Sequence, residues 1–360
     1  MKLRYKSWAD ICVALFGVMW LTGIARAPEP SVTTIAGNGR AGIVDGPAAA
    51  AEFLMPSGIA IRKSDGVIFV SDEAAQRIRE ITPDGTVVTV AGSGDVIAPG
   101  LSVVGGYADG PALQARFNRP SGLAIGSDGA LYVADSLNGC IRKLQNNTVS
   151  TVIGQCYGNQ GPSVRRAIDG NVETARFINP RGVVFDSLGN LYIADVGGGL
   201  RRFTRDGILT TIVLKRTSDS ELLSVGYGDG ADPVILATSP PSIAAFRPAT
   251  QTDYAITQSQ PNGGQPNAVA GMDARQFLFT DATAEAIYYL RLPPSPFIGA
   301  AYTRVVAGNP NDASDTAGYR DGLLTQAKFN APLGIAENDG IAYIADAGNR
   351  RIRRVVLPRF

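Results

Sequence analysis

The sequence predicts an all-β protein, a β-propeller of four-stranded blades, and three observations carry that prediction. One phrase, FNRPSGLAIGSDGALYVADSLNGCIRKL at residues 117–144, returns at residues 53, 177 and 329 and, worn down, at 266. Each copy consists of short alternating runs separated by glycine-containing turns, the mark of half-buried strands rather than helices. The two chain ends complement one another: the last copy stops after its third strand, RRIRRVV at 350–356, whereas SVTTIAGN at 31–38 is an isolated fourth strand.

At the N-terminus, Lys2, Arg4 and Lys6 precede an apolar run from Ile11 to Ile24, and Ala25-Arg26-Ala27 places small residues where a signal peptidase reads. Residues 1–27 are therefore expected to be a cleaved secretory signal, the alternative being an uncleaved anchor, and 28–360 to form one propeller. Cleavage removes four basic residues and one acidic, moving the formal charge from +1 to −2. A secreted or periplasmic chain of that sign is a poor partner for nucleic acid, whose binding relies on neutralising phosphates. No membrane span is expected after cleavage.

The copies align by fixed points. Phe53, Phe117, Phe177 and Phe329 each stand three residues before Pro56, Pro120, Pro180 and Pro332, and Gly58, Gly122, Gly182 and Gly334 follow two residues later. Pro-x-Gly opens strand one, and Asp65-Gly66 or Asp128-Gly129 turns the chain into strand two, which reads IFVSD, LYVAD, LYIAD, FLFTD or AYIAD. Strand three carries Ile-Arg-x-Ile at 78–81, and Pro83-Asp84-Gly85 leads to a β-branched strand four, TVVTVAG at 86–92. A sheet this small needs a neighbouring sheet on each face, which a closed ring supplies. Docking of the N-terminal strand onto the last copy closes the ring and removes an exposed edge. Five blades are recognisable. Residues 231–265, with Pro240, IAAF and DYAIT, are either an insertion or a degenerate sixth blade.

The run FNAPLGIAENDGIAYIADAGNRRIRRV at 329–355 resembles the NHL repeat, whose members carry Pro-x-Gly-Ile-Ala, then Leu-Tyr-Val-Ala-Asp, then Asn-x-Arg-Ile. The resemblance extends over nearly all of the chain beyond the signal segment. It implies a propeller and leaves the activity open, because NHL propellers serve as ligand-binding ectodomains, scaffolds, RNA binders and lyases. The chain contains no histidine, which excludes an imidazole base, a Ser-His-Asp triad and His-bound zinc. Lyases of similar fold depend on histidines. A calcium-dependent hydrolase resembling the gluconolactonase group needs only carboxylates and carbonyl-bearing side chains around a hard cation, yet its Glu-Asn-Asp ligand set does not align here.

Two sets of charged residues recur in the copies and are read as architecture. Arg79, Arg142, Arg201 and Arg353 hold one position in strand three, with their guanidinium groups expected in water or paired. Asp72, Asp135, Asp195, Asp281 and Asp346 are expected to cap backbone N–H groups after strand two. Asp45, Asp109, Asp169, Asp229 and Asp321, each followed by Gly, are read as helix N-caps for short turns.

Departures from the repeat point to the binding face, where the strand-four-to-strand-one connections and the loops after strand two converge. Between Pro and Gly stand Ser57, Ser121, Arg181, Asn267 and Leu333. Arg181 is the only charge among them, placed to hold an anionic group or to pair with a neighbouring loop. Tyr107, Tyr227 and Tyr319 share one offset before an Asp-Gly and either line this face or pack within their loops. Cys140 and Cys156 fall at the same end of one sheet, as a disulfide requires, and Asn146 opens a glycosylation sequon on an exposed turn. The resulting expectation is an exported, non-catalytic module binding a protein or small molecule on the long-loop face, with no cofactor. The alternative is the calcium-dependent hydrolase, with Ca2+.

Overall fold

The computed structural model describes residues 29–94, 96–97, 102–157, 165–214, 222–230, 233–256, 265–294, 301–310 and 317–360. The segment read as a signal, 1–27, lies outside them, as do 231–232 and 257–264 of the doubtful stretch. Among the described residues there is no helix, and therefore none long and apolar enough to cross a membrane.

Six antiparallel sheets form the ring, each built outward from an inner strand. The inner strands are Pro56–Arg62, Pro120–Ile125, Pro180–Phe185, Ser224–Gly228, Pro266–Gly271 and Pro332–Asn338, one for each of blades one to six, and each lies against the next round to closure. The count is six rather than five. Blade four consists of Ser224–Gly228, Val234–Ser239, Ser242–Arg247 and Thr252–Ile256, so the doubtful stretch is a blade and not an insertion. It begins earlier than expected, because its inner strand precedes Asp229-Gly230 instead of following it. Tyr192, Leu200 and Ile212 of blade three share a core cluster with Ile235 and Phe246 of blade four, so its apolar faces are buried like any other blade's.

Ring closure is as the chain ends suggested. Ser31–Ala36 pairs antiparallel with Arg351–Val356, with Val32 opposite Val355 and Ala36 opposite Ile352. Neighbouring inner strands are also stitched together. Ser71 Oγ donates to the Ser121 carbonyl at 2.6 Å, Thr280 Oγ1 to the Leu333 carbonyl at 2.7 Å and Thr238 Oγ1 to the Asn267 carbonyl at 3.0 Å, each reaching from strand two into the next blade. The glycine after Pro-x permits this approach, since a Cβ on Gly58 would collide with the Ser121 carbonyl and one on Gly334 with that of Ser57.

The recurring charges form one buried unit per blade. Arg79, Arg142, Arg201 and Arg353 are fully buried, not solvated. In blade two, Arg142 pairs with Asp135 at 2.7 Å and Asp109 at 2.5 Å, donates to the carbonyls of Arg116 and Ala108, and lies over the Phe117 ring at 5.2 Å. Blades one, three and six repeat this set around Phe53, Phe177 and Phe329. The Asp-Gly carboxylates therefore do not cap helices. Asp45, Asp109, Asp169 and Asp321 receive the arginine and a threonine N–H of strand four or of the closing strand, as in Thr151 N–H to Asp109. Asp229 stands apart, at the end of an inner strand. Of the other ring, Asp72, Asp135, Asp195 and Asp346 receive N–H groups from the loop ahead of strand one, and Asp281 alone caps the turn after strand two.

Cys140 and Cys156 are joined by a disulfide, and Asn146 lies on an exposed hairpin turn. The turn places both Asn146 and Asn147 at positive φ, 49° and 57°, the left-handed conformation a two-residue hairpin demands.

Candidate functional site

The six inner strands enclose a channel with a cavity of about 720 Å³. Its mouth is set by the residue after the proline position of each blade, giving in ring order Ser57, Ser121, Arg181, Leu223, Asn267 and Leu333. Two residues further in, an apolar waist is formed by Ile59, Leu123, Val183, Val225, Val269 and Ile335. The other end, where the short hairpins turn, presents Arg62, Lys63, Asp186, Asp229 and Glu337. The channel is thus polar at both ends and apolar between.

Asymmetry is concentrated at the mouth. Glu73 follows Asp72 in the loop after strand two of blade one, and its side chain is only 1% exposed. Its Oε1 receives Nη1 of Arg119 at 3.2 Å and Nη1 of Arg181 at 3.3 Å, so two guanidinium groups from blades two and three converge on one carboxylate oxygen from blade one. Oε2 is buried without a hydrogen-bond partner among the described residues. Arg119 sits at φ 54°, and its N–H is held at 2.6 Å by Gln76 Oε1, which fixes the residue at the start of its inner strand.

Blade five braces blade six in the same way with a different group. Glu285 Oε2 accepts the Ala331 N–H at 2.5 Å, with Ala331 at φ 47°. Burial raises the Glu285 carboxyl to about 7, against the Ala331 N–H that lowers it, with Asp346 and Asp281 adding to the rise. A carboxyl raised on folding contributes stability that is complete below its unfolded value near 4.5 and is lost as pH climbs through about 7. Glu285→Gln should therefore melt higher than the parent at pH 8, by about 1 kcal/mol once solvent screening is discounted, and match it at pH 4. Equal melting at both pH values would show that the carboxylate carries no burden there.

Of the residues singled out from sequence, Arg181 and Asn267 lie at the mouth. Tyr227 lines the channel towards the opposite end, its hydroxyl 2.8 Å from Ser187 Oγ. Tyr107 and Tyr319 are elsewhere, at the outer part of blades two and six, bonded to Asp109 and Asp321 and covering the buried Arg142 and Arg353. A shared offset before Asp-Gly thus joined residues from different layers. Glu73 and Arg119 were not singled out, although a signal existed: Glu73 stands where other copies have Ser136, Val196, Ala282 and Ala347, and Arg119 where they have Met55, Asn179, Gln265 and Ala331.

A calcium site of the hydrolase kind needs several oxygen ligands on one centre. Among the described residues no group of three or more Asp, Glu, His or Cys is arranged to hold a metal.

Residues 117–144 match the NHL repeat family model. Mouse teneurin-3 is 34% identical over 315 residues, 81% of this chain. The chain spans between 10% and 15% of the length of the curated relatives it matches. Among solved structures, an auxiliary nutrient binding protein from Bacteroides thetaiotaomicron superposes with a TM-score of 0.65 at 16% identity, over 92% of this chain and 77% of that one. A gluconolactonase from Xanthomonas campestris superposes with a TM-score of 0.57 at 11% identity, over 93% and 92%. At these identities the superpositions speak for the fold. With the repeat matched and six blades of four or five strands closed into a ring, the chain is an NHL-repeat β-propeller protein.

Proposed function

We propose that the protein is an exported binding module that seats a small polar ligand in the mouth of its central channel. One observation carries this reading: at the mouth, a charged, partly buried constellation that the other blades lack, Glu73 with Arg119 and Arg181, stands above a preformed channel. Most other buried charges recur from blade to blade, and non-recurring ones such as Arg165, which donates to the carbonyls of Ser136 and Ile178, and Asp186, which accepts the N–H groups of Leu188 and Asn190, are engaged by the backbone around them. A ring of rigid sheets with one dissimilar rim suits recognition without reaction. Export is supported by the three-part pattern of residues 1–27 and by the Cys140–Cys156 disulfide, which suits an oxidising compartment. The Bacteroides chain described as nutrient binding employs a ring of the same kind.

The test is a thermal-shift screen of the purified protein against sugars, organic acids, amino acids and divalent cations. A ligand of this site should raise the melting temperature, and Leu223→Trp, which plugs the mouth, should abolish the shift. A shift that survives the plug would place binding elsewhere. Tightly bound calcium whose chelation lowers the melting point, together with lactone hydrolysis, would replace the proposal with the hydrolase alternative.

A further inference from the structure

We infer that the channel mouth takes a small monocarboxylate, its carboxylate seated on Arg181. The inference rests on the mouth being a ligand site and adds the chemical class of the ligand. Glu73 holds Nη1 of Arg181 and so orients the guanidinium, while Nε and Nη2 have no acceptor among the described residues. The side chain is 29% exposed and lines the channel, leaving those two donors for an incoming anion in the fork geometry that carboxylates match.

Charge sets the valence. Arg119 and Arg181 share one carboxylate, so the constellation has an excess of one positive charge, and the other five mouth residues, Ser57, Ser121, Leu223, Asn267 and Leu333, are neutral. A monoanion balances that excess. A phosphate dianion would bring a second charge towards Glu73 and leave it unbalanced. Burial of Glu73 with Oε2 unpartnered is an arrangement that folding alone does not favour, and it becomes intelligible if the carboxylate is there to set the arginines and temper their charge. The opposite end carries Asp186, Asp229 and Glu337 against Arg62 and Lys63, and Arg62 is already paired with Asp65, so that end is net negative and the ligand belongs at the mouth. Serines on one side of the ring and leucines on the other leave two sources of the carboxylate, a sugar acid or a short aliphatic acid.

Isothermal titration calorimetry of the purified protein at pH 7.5 with D-galacturonate, hexanoate, D-galactose and inorganic phosphate separates the possibilities. At least one carboxylate should bind with a Kd below about 1 mM, and D-galactose and phosphate at least about tenfold more weakly. Arg181→Met should weaken carboxylate binding roughly 10- to 100-fold. Because it strips Glu73 of a partner, the double variant Glu73→Gln/Arg181→Met, checked for an unchanged melting profile, guards against mere misfolding. Glu73→Gln alone should tighten the carboxylate and let phosphate bind, a change in selectivity that a purely structural glutamate would not produce. Carboxylate binding indifferent to Arg181, or D-galactose bound as tightly as D-galacturonate, would overturn the inference and leave the channel reading intact. If all four probes fail but a neutral compound from the wider screen binds in a manner blocked by Leu223→Trp, the carboxylate class alone is wrong. If nothing binds at the mouth, both readings fall.

Discussion

Removal of residues 29–38 is expected to abolish cooperative folding of the ring. The strand Ser31–Ala36 supplies the fourth strand of blade six, and Val32 and Ala36 within it are fully buried, Val32 in the cluster that holds Phe329, Ile344 and Val355. Thr34 donates its N–H and its hydroxyl to Asp321, the same carboxylate that pairs with the buried Arg353. Losing one apolar side chain of this kind costs about 2 kcal/mol and each hydrogen bond about 1 kcal/mol, so the sum exceeds about 5 kcal/mol, comparable to the stability of a whole domain. The truncation would also bare the edge of Arg351–Val356, inviting association. Denaturant unfolding followed by circular dichroism reads the effect, and the peptide SVTTIAGN supplied in trans should partly reverse it. A truncated protein that melts in one sharp transition near the parent's midpoint would show that the ring is held closed by blade packing without the strand.

What could be read from the sequence follows from where polar groups are buried. A buried arginine needs two carboxylates, two carbonyls and an aromatic lid, so blades one, two, three and six repeat Phe, Asp and Arg at fixed spacing, and those letters made their copies visible. Blade four solves the same packing problem without charge, with Ser239 at the aspartate position and Ala244 at the arginine position. Nothing in its sequence needs to resemble the rest beyond alternation, which is why the sequence leaves it open between an insertion and a degenerate blade. Depth is the harder reading for a related reason: the guanidinium groups, expected in water or paired, are paired but fully buried, because besides the aspartate of strand two each gains a partner from a loop some thirty residues earlier, as Arg142 does from Asp109. At the mouth, Arg181 and Asn267 stood out because they interrupt a strict position. Glu73 and Arg119 lie on flanking positions that vary freely, and only their convergence in space, from three blades, gives them meaning.

One substitution made in two blades should give very different results. Asp135→Asn is expected to destabilise the protein by about 3–5 kcal/mol, since it leaves a buried arginine short of its counter-charge. The loss is sharpened by geometry: Asp135 Oδ2 accepts both Arg142 Nη1 at 2.7 Å and Asn138 Nδ2 at 2.8 Å, while Oδ1 accepts the Asn118 N–H. An amide flipped either way would turn donors against donors. Burial raises the Asp135 carboxyl to about 6 despite Arg142, so the comparison belongs at pH 7.5, where the pair is fully ionic. In blade five the arginine is replaced by Tyr288, which stacks on Phe279 at 5.0 Å, and Asp281 Oδ2 is buried without a hydrogen-bond partner among the described residues. Asp281 Oδ1 alone does the work, accepting the N–H groups of Thr283 and Ala284, and an asparagine oxygen can replace it. Asp281→Asn should therefore change stability by no more than about 1 kcal/mol. The two midpoints, measured side by side in guanidinium, decide whether the repeat aspartate is retained for its charge or for its cap. If both variants fall equally, the arginine pairing contributes nothing beyond the backbone bonds; if Asp135→Asn alone collapses, the buried ion pair is what holds each charged blade to its own outer loop.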